Sequence, residues 1–168
     1  MTHYPSTLVY HEAGHAVVGI QLGGRITKLS IRELDRLNEP FCIRFEDGYG
    51  SEPDRRLLLA HAITLYAGFE SDKRAGFEGD FVDANAEDDH DSAAELLRRC
   101  NDNEMEFETL KQKVMLSAEK LVQKHWSKIE MLARQLRKHE EIPGYKVISM
   151  LKPYERSTVE KETADTSA

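Results

Sequence analysis

The stretch "VYHEAGHAVVGI", residues 9–20, places two histidines four residues apart inside an apolar, helix-forming run. Val9, Ala13, Ala16, Val17 and Ile20 recur at three- and four-residue steps, which predicts a helix from about Ser6 to Leu22 with one stripe against a core. On that helix His11 and His15 project from one face a turn apart, so both imidazoles can reach a single ion. Glu12 stands beside the first of them, where its carboxylate can take a proton from water at the ion without being a ligand. The spacing describes a catalytic zinc site: two nitrogen donors, one base, and room for a third ligand from elsewhere. Gly14 costs a helix about 1 kcal/mol relative to alanine, so something packs closely there. The competing reading is a core helix that carries two histidines by chance. It is weakened by the amphipathic setting and by a downstream carboxylate cluster able to supply the third ligand.

Working outward, Gly23-Gly24 ends this helix. "ITKLSIRE" (26–33) and "PFCIRFED" (40–47) are rich in β-branched and aromatic residues and predict a β-hairpin or small sheet. Ser51 to Pro53 marks a new helix start, and Arg55 to Ala67 forms its body, ending at Gly68. Seven acids and no Lys or Arg fall between Glu78 and Asp91, which predicts a loop leading into a helix over Ser92–Cys100. Asp89 or Asp91 would cap or open that helix. Leu110, Val114, Ala118, Leu121, Val122, Trp126, Ile129, Leu132, Ala133 and Leu136 predict a long amphipathic helix or a pair of helices, ending near His139. "EIPGYKVISML" (141–151) reads as a turn and a short last helix. The fold class is therefore mainly α (α+β), one domain over residues 1–153, with a small β-hairpin or sheet after the first helix and a disordered polar tail over 154–168.

Composition excludes several functions. With 168 residues and 40% hydrophobic content the chain can bury one ordinary core. A net charge of -7 argues against nucleic acid, whose phosphates need a positive stripe. No apolar run approaches the ~20 residues of a membrane span, so no membrane insertion is expected. Cys42 and Cys100 are too few for a disulfide framework and lack metal-binding spacing, and no secretory leader is read, which together predict a reduced, cytoplasmic protein. His61 reads as a packing histidine, Trp126 as a core or oligomer contact, and His125 and His139 as surface residues.

"HEAGHAVVGIQLGGRITKLSI" (11–31) resembles the start of the peptidase domain of FtsH-type ATP-dependent zinc proteases, where a helix bearing HEAGHA precedes a short β-segment. "LLLAHAITLYAGFESDKRAGF" (57–77) is similar to that family's segment in which a helix ends in a Gly-Gly-Arg-Ala-Ala-Glu stretch, altered here to Ala67-Gly68-Phe69-Glu70. "EDDHDSAAELLRR" (87–99) resembles its Asn-Asp-Leu-x-x-Ala-Thr-x-x-Ala-Arg-Arg segment. "LVQKHWSKIEMLARQLRKHEEIPGYKVISML" (121–151) is like its closing helices. The likeness spans roughly residues 6–151; the first motif is specific and the others looser.

The resemblance implies a zinc metalloendopeptidase with His11, His15 and Asp89 as zinc ligands and Glu12 as the catalytic base. Asp88, His90 and Asp91 compete for the third ligand position, and Glu70 is a remoter competitor. Peptide or protein is the implied substrate, presented as an added strand along an edge in the 26–47 region. Family members carry an AAA+ module and form rings. This chain begins almost at the zinc helix, so the expectation is an enzyme not itself ATP-dependent, partnered by its own copies or by a separate ATPase. Two other readings stand beside it: a small regulatory zinc peptidase of another lineage, favoured by a third ligand outside 87–91, and a non-catalytic interaction module of the same fold.

Overall fold

A computed structural model of the chain describes residues 6–32, 43–45, 54–101 and 103–152. The first element, α1, is the helix Ser6–Gln21 that carries both histidines. Three short strands follow, β1 (Arg25–Ile26), β2 (Lys28–Ser30) and β3 (Ile43–Arg44). Four helices come next: α2 (Arg55–Arg74), α3 (Asp80–Cys100), α4 (Glu104–Lys124) and α5 (Trp126–His139). A last strand, β4 (Glu141–Pro143), leads into α6 (Gly144–Leu151). The mainly helical class with a small β component is thus the observed one.

The small β part consists of two antiparallel pairs, in keeping with the expected β-hairpin or small sheet. β1 pairs antiparallel with β3, Ile26 opposite Ile43, as the sequence suggested. β2 instead pairs antiparallel with β4, Leu29 opposite Ile142, across most of the chain. The segment read as a turn before the last helix is therefore a strand. It was hidden because three residues containing a proline carry no alternation to read. Residues 33–42 and 46–53, which include Cys42 and the Ser51–Pro53 helix start, lie outside the described residues, as does the tail from 153 on.

Two helix boundaries also differ from the sequence reading. α2 does not stop at Gly68 but runs on to Arg74, its start capped by the Asp54 side chain accepting from the Arg56 amide and its end carrying Lys73 and Arg74. That end suits the helix dipole. α3 begins at Asp80 rather than Ser92, so most of the acidic stretch is helical and Asp89 sits inside a helix rather than in a loop. Acidic residues in the first turn of a helix are favourable, and Ala84 and Ala86 are strong helix formers. The amphipathic run after residue 103 is a pair of helices, α4 and α5, broken at His125.

Two apolar clusters hold these elements. One joins α1 (Leu8, Val9, Ala13, Val17) to the strands and to Ile129, Leu132 and Leu136 of α5 and Val147 of α6. The other joins α2 (Ala62, Leu65, Tyr66) to Ala93 and Leu97 of α3 and Phe107, Val114 and Ala118 of α4. Trp126 packs against the first cluster, its ring stacked on Tyr10 with centroids 5.7 Å apart, which fits its reading as a core contact. α2 lies between α1 on one side and α3 and α4 on the other. The seam between the clusters therefore runs along α2, and His11, His15, Thr64, Ser71, Asp72 and Asp89, buried polar residues among those described, gather there. Among the described residues no helix is long and apolar enough to cross a membrane.

Candidate metal centre

α1 and α2 approach closely because both faces are small. A side chain at Gly14 would bring its Cβ to 2.7 Å from the Ala67 carbonyl oxygen, so the glycine read as a sign of close packing does meet a neighbouring backbone. Across the seam, a Cβ at Gly68 would lie 2.6 Å from His15 Cε1 and Nε2 and 2.8 Å from His11 Cε1. Gly68 is therefore not a helix terminator but the point where α2 lays its backbone against both imidazoles.

Both rings are held from behind. His15 Nδ1 donates to the Thr64 carbonyl oxygen at 2.8 Å. A carbonyl can only accept, so Nδ1 carries the proton and, in the neutral ring, Nε2 offers a lone pair. His11 Nδ1 lies 2.8 Å from Asp72 Oδ2, a carboxylate with no solvent exposure, which orients that ring in the same sense. Both Nε2 atoms then point at one oxygen: His11 Nε2 is 2.9 Å and His15 Nε2 3.0 Å from Asp89 Oδ2. The rings meet edge to face, centroids 4.6 Å apart.

Three electron-pair donors converging in a buried space require positive charge between them. Protons can supply it. Burial lowers the affinity of His11 for a proton, but hydrogen bonds to Asp72 and Asp89 outweigh this and hold it up to about 10. His15 is likewise raised despite burial, by Asp89. Asp89 is held well below the usual carboxylate range: burial would raise it, but the charges and hydrogen bonds of the two histidines prevail. Asp72 is raised, because burial outweighs its bond to His11. Two imidazolium rings at 4.6 Å repel by about 4 kcal/mol at an effective dielectric of ~20. One divalent ion meets all three donors without that repulsion.

The donor set fits such an ion. His11, His15 and Asp89 each offer one atom, all within 4.8 Å of one another, and all three residues are buried. Tetrahedral bonds of ~2.05 Å put ligand atoms roughly 3.3 Å apart. The 2.9 and 3.0 Å separations here need to open by only a few tenths of an ångström. Two imidazoles and one carboxylate are the ligand types of catalytic zinc, with a coordination position left over.

The structure brings together His11, His15 and Asp89, and places Glu12, itself buried, next to the first histidine on α1. The competitors lie elsewhere. Asp88 and Asp91 are exposed, Glu70 pairs with Lys73 at 3.1 Å, and the His90 ring rests against Tyr66 and Phe69 at 5.0 and 4.9 Å. His61 packs its ring 5.5 Å from Phe45, Cys100 is a free thiol, and His139 is exposed whereas His125 is half-buried. Sequence reading missed Asp72 and the Thr64 carbonyl. No local signal marks either, because their partners on α1 lie 61 and 49 positions away in sequence.

The sequence matches no protein-family model and no curated protein. The likeness to FtsH-type peptidases rests on the quoted motifs alone.

Proposed function

We propose that this protein is a zinc-dependent metallopeptidase resembling the FtsH-type peptidase domain, hydrolysing peptide bonds of flexible segments. What carries the reading is the convergence of His11 Nε2, His15 Nε2 and Asp89 Oδ2, with both rings fixed at Nδ1 from behind. A zinc ion held by His11, His15 and Asp89 would supply the Lewis acidity that acidifies water and polarises the scissile carbonyl. The protein's own residues do the rest. Thr64 and Asp72 fix which nitrogen of each histidine faces the ion. The Glu12 carboxylate takes a proton from the attacking water and delivers it to the leaving amine, so that one water is consumed per bond and Glu12 ends as it began. Asp89 lies within residues 87–91, which supports the FtsH-like reading over a regulatory peptidase of another lineage.

We further propose a reducing, cytoplasmic setting, and that folded substrates are unfolded by a separate ATPase or within an assembly of several copies. The test is cleavage of an unfolded protein by native chain and Glu12→Gln, each assayed for bound zinc. Glu12→Gln should retain zinc and lose activity by about 10²- to 10⁴-fold. Equal cleavage by both, or none by the zinc-loaded native chain, contradicts peptidase action.

A further inference from the structure

Helix α3 has two unlike halves. The second delivers Ala93 and Leu97 to the cluster shared with α2 and α4. In the first, residues 80–91, the buried apolar side chains among those described are Val82 and Ala86, and neither belongs to either apolar cluster. This half holds six carboxylates and no Lys or Arg. Asp83, Glu87 and Asp91, all exposed, follow one another at four-residue steps, so like charges repel along one stripe. The dipole favours acids only in the first turn, and Glu87 to Asp91 lie beyond it. The helix starts at Gly79, which provides no side-chain cap. Asp89 ties this half to α1 through the two imidazoles.

We propose that residues 80–91 form a metal-dependent strap, which closes against α1 when an ion joins Asp89 to His11 and His15 and opens when the ion leaves. Like charges along this half and its uncapped start oppose docking on α1, and the bonds of Asp89 to the two imidazoles must offset them, whereas Ala93 and Leu97 anchor the rest of the helix. Loading the ion and covering the site are then one event. The proposal rests on the metal reading above.

Hydrogen exchange of the full chain tests it, in chelator and with free zinc held at about a hundred times the measured Kd. If the ion binds only the closed strap, protection of the 82–91 amides rises on the order of a hundredfold, the factor set by 1 + [Zn]/Kd. Amides of 93–100 should change less than about threefold, since their opening is local to a separately packed unit. Asp89→Asn should keep 82–91 open in zinc. Glu87→Lys, at an exposed position, should raise the protection of 82–91 in chelator by turning repulsion at Asp83 and Asp91 into attraction. Zinc binding with 82–91 unchanged, or protection lost evenly over the whole chain in chelator, overturns the strap and leaves the metal site standing. Unchanged protection in Glu87→Lys contradicts the charge argument on which the strap depends. Absence of zinc binding overturns both proposals together.

Discussion

Asp72 links the candidate metal site to the body of the fold. Its carboxylate is fully buried, one oxygen 2.8 Å from His11 Nδ1 and the other without a hydrogen-bond partner among the described residues. Leaving a buried acceptor unmet costs about 1–3 kcal/mol, so the position is maintained against a penalty. That cost is offset by the bond that orients His11 and would raise its basicity toward a metal. Asp72→Asn, which keeps the shape and removes the charge, should weaken zinc binding by about 10- to 100-fold in competition with a chelator. Unchanged affinity would contradict this role. The residues differ in how readable they were. His11, Glu12 and His15 are legible because a helix converts their spacing into a shared face. Asp89 emerged only through likeness to a family motif, and Asp72 and the Thr64 carbonyl not at all, because neighbours across 61 and 49 positions have no local pattern.

At the scale of elements, helices with strong periodicity were readable and their ends were not. α2 outran its expected stop because a glycine there answers to the imidazoles of another helix rather than to its own terminus. α3 began early because a run of acids resembles a loop in composition yet suits the start of a helix. β4 went unseen because its pairing with β2 is set by tertiary contact. The start of α4 shows a cap that does work locally: Asn103 Oδ1 accepts from the Met105 amide at 3.0 Å and the Glu106 amide at 3.3 Å. Asn103→Ala should lower unfolding stability by about 1 kcal/mol, read as a reduced denaturant midpoint with unchanged slope. An unaltered midpoint would show that α4 is held by packing alone.

At the scale of the molecule, two apolar clusters lie on either side of α2, with the buried polar groups His11, Glu12, His15, Thr64, Ser71, Asp72 and Asp89 in the seam between them. Composition and periodicity foretold a mainly helical fold with a small β part, since these depend on summed local preference. They could not foretell the seam, which depends on which faces meet. Of these groups His11, His15 and Asp89 converge as a set that could hold one ion, proposed above to be zinc. The most direct test is zinc per chain, by elemental analysis of protein purified without added metal or a histidine tag, for the native sequence, His15→Ala and Asp89→Ala. About one zinc is expected in the native chain and its loss from both variants, as a site of three protein ligands requires. No bound metal even after zinc is supplied, or equal zinc in all three proteins, would contradict it.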